Sequence, residues 1–400
     1  MMRAAGWCTL LALSLALLAG CAPAEVRVSA WGPVYTLAQA EQAAGPALWA
    51  QAGAVTAAWV GADSAGVHHD GRALAGGQLT ETIVMPLPPL QPDGQRLLPA
   101  AGDTLHLLWR DRAPGTLETR LFAARVSPAL ALLSGPNAVS VGAAFHDSAA
   151  PAGDGGLWAV WSGGLPAEPS LFARYIDRVG RPLAEIFTLA SAADWPALAW
   201  AADGALHLLW REPASGQLYH ALLAGGALAQ VTATGLSVWL APGDRLHSLD
   251  AALDRTHLYA LWNVTRASGR RETWLAAGAL AGGRWQPPAR LGVNVDTNGA
   301  FETGFNTGPA QAAGPGGAWL ALARPLGGQH DALPLAAQAA DGLALVYLRA
   351  GAPAGYQLVV PGAALIGPPA LAADADRHLY LAWAEPTAAG PADLLLTTTR

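Results

Sequence analysis

Lysine is absent from the 400 residues, and all 23 basic side chains other than histidine are arginine. A phosphate-binding G-x-x-x-x-G-K-[ST] loop is therefore excluded, because it needs the lysine ammonium. The net charge of −6 removes the basic face that a nucleic-acid partner requires. An all-arginine cation set, with heavy use of Ala, Gly and Pro, reads as genome base composition before it reads as function. Charged residues make up only 13% of the chain while 52% are apolar, which argues for a well-buried fold and against disorder. Cysteine is nearly missing, with two residues in all. Long uninterrupted runs are missing too. Forty-six Gly and 30 Pro, about one residue in five, break the pattern, so the Ala-rich segments have little room to be helices.

Both cysteines lie near the N-terminus. "MMRAAGWCTLLALSLALLAGC" has Arg3, an apolar run from Leu10 to Leu18 and small residues before Cys21. That run is shorter than the ~20 residues needed to span a bilayer, so it reads as a targeting segment to be set aside from the fold. Leu18-Ala19-Gly20-Cys21 resembles the lipobox of bacterial lipoproteins. The resemblance implies cleavage before Cys21, acyl chains on that residue, and a protein held outside the cytoplasm by its lipid. Ala22 stands where an Asp would favour inner-membrane retention, which favours the outer membrane if the organism has one. The expected division is a signal peptide over 1–20, a lipidated tether over 21–25, and one domain over 26–400. With Cys8 removed and Cys21 acylated, that domain has no disulfide, thiol nucleophile or Cys metal ligand.

What fills the domain is a repeat. Pro196 to Trp210 reads PALAWAADGALHLLW, and Pro369 to Trp383 reads PALAADADRHLYLAW with the same offset. Pro46 to Trp59, PALWAQAGAVTAAW, is one residue shorter, and Trp109, Trp161 and Trp262 close LHLLW, LWAVW and LYALW. From Trp59 to Trp262 these anchors are spaced 50, 52, 49 and 52 residues apart. A period near 50 made of short strands predicts an all-β β-propeller of four-stranded blades. Trp262 to Trp383 spans 121 residues, room for two blades. AWLALAR, Ala318 to Arg324, is a second strand without its Trp, and seven blades result. Counting Tyr347 as an anchor would make eight, and six is the other alternative. The last unit stops after its third strand, so EVRVSAW or PVYTL from the N-terminal side should supply the strand closing the last blade. Three residues before each Trp sit Thr56, His106, Trp158, His207, Tyr259 and Tyr380, expected to pack between blades.

The phrase PALAWAADGALHLLWREP…GQLYHALL resembles the sialidase-like, BNR-type propeller repeats of bacterial extracytoplasmic proteins. LAGGRWQPPARL, Leu280 to Leu291, looks like a worn Asp-box turn in which Gly283 and Trp285 keep their places. A sialidase resemblance would imply an Arg cluster gripping a carboxylate, a Tyr/Glu nucleophile pair, an acid/base Asp and an early Phe/Tyr-Arg-Ile-Pro motif. That motif is absent, RYIDRVGRP at Arg174 to Pro182 does not replace it, and no catalytic residue carries over by position.

Candidate binding residues follow the Trp strands: Arg110, Asp111, Arg112, Arg211, Glu212, Arg270, Arg271, Glu272 and Glu385. In a propeller these turns would ring one face, where Arg can hold a carboxylate or phosphate by two parallel bonds; solubility and turn stabilisation is the plainer reading. Asp296, Asn298 and Glu302 offer hard oxygen donors in a long inter-blade connection, short of a full calcium loop. His68-His69-Asp70 suggests a metal only if the two imidazoles sit in a turn; solvated residues on an outer hairpin is the plainer reading. Trp195 and Trp239 fall outside the anchor pattern; core or inter-blade packing is the plainer reading, and stacking on sugars is the alternative. No cofactor or metal is expected, nor any nucleic-acid partner. The expectation is a monomeric, membrane-anchored propeller acting as a binding scaffold for a protein or an envelope glycan. A degenerate glycoside hydrolase and a purely structural lipoprotein are the alternatives.

Overall fold

The computed structural model describes residues 30–40, 44–64, 66–87, 90–201, 203–294, 303–305, 317–324, 342–363, 365, 367, 369–374, 376, 378–387 and 390–399. They form seven antiparallel sheets in a ring, a seven-bladed β-propeller. Blades 1 to 6 follow chain order, with four strands each and one extra short strand, Ile83–Met85, on blade 1. Blade 2 is typical: Asp93–Ala100 innermost, then Thr104–Arg112, Thr119–Val126 and Leu132–Ala138 at the rim. Blade 7 joins the two ends of the chain. Its inner three strands are Ala370–Ala373, Leu379–Thr387 and Gly390–Thr398, and Tyr35–Ala40 is the outer one. Closure therefore comes from the PVYTL segment, and it leaves no open edge between first and last blades.

Burial explains the four-strand grammar. The second strand of blade 4, Leu206–Arg211, is buried at every position because neighbouring blades cover both its faces. Outer strands face water instead, and Leu132–Ala138 has no buried residue. Each anchor Trp packs into a cluster shared with the preceding blade: Trp210 with Ala150 and Val160, Trp161 with Leu98 and Leu108, Trp59 across the closure with Leu394 and Leu396. A third-strand aromatic stacks on many of them, Trp109 on Phe122, Trp161 on Phe172 and Trp210 on Tyr219.

The residues three before the Trp also join blades. Thr56 Oγ1 donates to Pro128 O of blade 2 at 2.9 Å, and His106 Nε2 lies 3.3 Å from Gly155 O of blade 3. Tyr259 OH donates to Asp254 at 2.6 Å and accepts from Gly351 N of blade 6 at 3.1 Å. Blade 6 is Thr303–Phe305, Gly317–Arg324, Gly342–Arg349 and Ala352–Pro361. Tyr347 is on its third strand opposite Trp319, so it anchors no eighth blade.

Candidate functional site

Antiparallel pairing sorts the connections onto two faces. The entry to each inner strand and the turn after each Trp strand share one face, as the pairs Asp93↔Arg110, Asp194↔Arg211 and Arg245↔Thr265 show. On this face the ladder slips in blades 1 to 5, between Ala44 and Ala47, Asp93 and Arg96, Ala144 and His146, Asp194 and Ala197, and Leu246 and Ser248. A β-bulge inserts a residue and re-aims the side chains beside it. Here the bulges break the apolar alternation of the inner strands just where they meet the axis. The result is a central funnel of about 480 Å³, within the range of small-ligand sites.

Blades 2 to 5 supply its polar wall. Asp147 is 3% exposed and lies between two guanidiniums, 3.3 Å from Arg96 Nε and 3.2 Å from Arg110 Nε. Arg110 also donates to Asp93 Oδ2 at 2.6 Å and to Phe145 O. Arg96 is 39% exposed. Its Nε and Nη2 are held by Asp147, while Nη1 donates to no protein group among the described residues. Arg211 is clamped by Asp194 through two parallel bonds of 3.0 and 2.7 Å. Beside that clamp Trp195 adopts φ +52°, a left-handed conformation that a bulky residue rarely takes. In blade 2 the equivalent bulge position is Gly94, φ +65°, for which such a backbone costs nothing. Trp195 lies flat on His146, ring centroids 3.4 Å apart and planes 17° from parallel.

Proton affinities in the funnel are displaced. Burial, then the charges of Arg110 and Arg211, lowers His146 to about 3, so its imidazole is neutral. Burial lowers His247 too, helped by Arg271 and Arg245, and its Nε2 shares a 2.7 Å hydrogen bond with Thr265 Oγ1. Asp250 moves the other way: burial raises it, against the pull of Arg96 and of a Ser248 hydrogen bond. A neutral imidazole, a carboxyl biased toward its acid form, a half-free guanidinium and an indole thus line one cavity.

The residues expected from sequence are on this face, but most are engaged. Arg110 and Arg211 belong to the funnel wall as described. Asp111 is 3% exposed and accepts from the backbone N–H of Leu90, Gln91 and Arg112, which pins the link from blade 1. Arg112 donates to Thr116 O within its own turn, and Glu212 accepts from Ser215. Glu272, 2% exposed, is held by Arg266, Arg270 and Trp274 Nε1. Its burial pushes the carboxyl pKa up, but these donors outweigh it and keep the group below the usual range. Glu385 accepts from Trp383 Nε1 at 2.8 Å. Trp239 is 58% exposed on the link into blade 5. Asp296, Asn298 and Glu302 lie outside the described residues, as does Cys21.

Arg96, Asp147, His146, His247 and Asp250 were not singled out by sequence. Their signal is faint but present: DGQR, FHDS and LHSLD place polar residues at the entry to strands that are otherwise apolar.

The His68-His69-Asp70 segment departs from its solvated reading. It lies on the third strand of blade 1, Gly66–Ala75, where blade 2 covers it. His69 is fully buried, edge-on to Trp109 at 5.0 Å and bonded to Gln95, while His68 pairs with Asp70 at 2.9 Å on the other face. Among the described residues one group has metal-ligand spacing, Asp374, Asp376 and His378. Asp374 there already accepts from Gly53 N, His378 and Tyr380 OH, an inter-blade clasp like that at Asp254.

These histidines predict a pH response. Burial, with the charge of a neighbouring imidazole, lowers His69 and His220 to about 4 in the fold. A folded pKa below the unfolded 6.5 means stability is complete above 6.5 and drains as pH falls toward 4. At pH 4.5, His69 alone should remove roughly 2–3 kcal/mol. Urea midpoints should fall between pH 7 and 4.5, and His69→Gln should flatten that slope. A midpoint constant over this window would contradict the burial of these imidazoles.

No family model matches the sequence, and no curated protein does. Solved structures do. The polysaccharide lyase Uly1 superposes with a TM-score of 0.57 over 95% of this chain and 93% of its own, at 10% identity. A PL25 ulvan lyase gives 0.54 over 92% and 95%, at 9% identity. A protein of unknown function from Dyadobacter fermentans DSM 18053 gives 0.50 over 93% and 99%, at 10% identity. The likeness is one of fold. The BNR-type repeat resemblance gains no family match beyond it.

Proposed function

We propose that this is a lipid-anchored extracytoplasmic propeller that binds an acidic polysaccharide segment in the mouth of its central funnel. The observation that carries the reading is the wall around Arg96. A guanidinium with one free nitrogen can grip a sugar carboxylate or sulfate, and the exposed edge of the Trp195–His146 stack is a surface for a pyranose ring. The two lyases of like fold, one named for ulvan, support a glycan over a protein as the ligand. Arg96→Ala should weaken binding of an acidic polysaccharide at least tenfold by calorimetry while leaving the melting midpoint within a few degrees. Trp195→Ala should do the same. Unchanged affinity in both variants would remove the funnel from the binding account.

A second reading, glycan cleavage, rests on His146 and Asp250. A neutral imidazole and a carboxyl of raised pKa in one cavity are the groups that a proton transfer needs. Incubation with acidic polysaccharides, followed by assay for new chain ends, separates the two. Turnover abolished by His146→Ala would favour cleavage.

A further inference from the structure

We propose that the anchored protein holds its funnel mouth away from the membrane, so its glycan is a polymer beyond the bilayer surface and not a headgroup glycan of the anchoring membrane. The inference rests on the lipid-anchor and glycan readings above and adds the geometry between them.

The chain enters the fold on the face opposite the mouth. Trp31 bridges Thr399 and Gly32 N donates to Thr398 O at 2.7 Å. Thr399 N in turn donates to Leu379 O, beside the turn between the first two strands of blade 7. That turn closes the far end of the blade. The strand Tyr35–Ala40 then runs from this end toward the mouth, pairing Tyr35 with Leu396 and Ala40 with Ala392.

The entry is also on the far side of the ring. Blade 7 touches blades 6 and 1. In a ring of seven, blades 3 and 4 lie across the axis from it, and they carry His146, Asp147, Trp195 and the Asp194–Arg211 clamp. The functional wall therefore lies at the other end of the axis from the entry, with these residues on the far side of the axis.

Chain length turns this into a constraint. From Cys21 to Trp31 there are ten residues, about 35 Å at full extension. A nine-residue strand such as Leu379–Thr387 is about 30 Å long. A tether climbing the outside of blade 7 would be almost fully stretched before the near edge of the mouth reached the bilayer. A flexible ten-residue chain averages only about 17 Å end to end, so laying the mouth on the bilayer would hold the tether near its full length, an entropic cost that the mouth-away orientation does not carry.

Full-length protein gives the test, because its only mature cysteine is acylated and one added thiol can be labelled alone. Leu165→Cys marks the mouth end of blade 3, where Leu165 is 70% exposed, and Arg178→Cys marks the opposite end of the same blade. Each is labelled, reconstituted in vesicles holding a headgroup-level acceptor dye, floated, and read by energy transfer. Transfer should be at least twofold greater from position 178 than from 165, and Cys21→Ser protein should stay unfloated. The anchored protein should also bind soluble acidic polysaccharide within about threefold of the Cys21→Ser affinity. Equal or greater transfer from position 165 in a floated sample overturns the orientation. A full-length chain that does not float overturns the anchor and this inference with it. Floated protein with the expected transfer but no polysaccharide binding overturns the glycan reading alone.

Discussion

Trp210→Ala should lower the stability of the propeller by about 3–5 kcal/mol, the range for deleting a large buried aromatic. The indole is 5% exposed and sits in a cluster that is half blade 3 and half blade 4. Tyr219 stacks on it at 5.6 Å from the adjacent strand, so truncation also strips a partner ring of its contact. Removing it opens a cavity at a joint between blades, where rigid sheets on both sides cannot collapse to fill the space. The effect is read as a fall in the urea midpoint, with Trp210→Phe recovering a large part of it. A midpoint indistinguishable from the parent would show that the indole does not join blades. Trp239→Ala is the control, because that side chain is 58% exposed on a link and should change little.

The same indoles explain how much of the fold could be read in advance. Period, strand order and closure follow from patterns that burial imposes on every blade, so the repeats carry them redundantly. Blade 6 was hard to read for the converse reason. Trp319 stands in the register of Tyr259 rather than of the anchor Trp, and Tyr347 is a third-strand partner. The funnel was less legible still. It depends on bulges at five strand entries, and a bulge changes which face a residue occupies without any fixed residue type. Arginines after the Trp strands were visible, but their state was not. Arg110, Arg211 and Arg266 are drawn to carboxylates from other strands or links, namely Asp93, Asp147, Asp194 and Asp244. Spacing along the chain holds no record of those pairings. Arg96 stands in the funnel because its strand phase slips just before it.

Asp194→Ala should cost a comparable 3–5 kcal/mol and also weaken glycan binding, for linked reasons. The carboxylate and Arg211 are side chains 12% and 9% exposed, joined by two parallel bonds. Removing one partner strands a guanidinium in a site with little water, which is why breaking such a pair costs more than replacing it whole. Asp194→Ala/Arg211→Leu should therefore regain most of the lost stability. Binding should not return with it. Asp194 is the residue before Trp195, whose φ of +52° persists only if the flanking backbone is fixed, and the clamp is what fixes it. Once the clamp is gone the bulge can relax, and the indole leaves the His146 ring that it covers at 3.4 Å. The double variant should then melt near the parent but bind acidic polysaccharide at least tenfold more weakly, with red-shifted Trp emission. If stability and affinity return together, the clamp is a structural pair only, and Trp195 is held by its packing against blade 5.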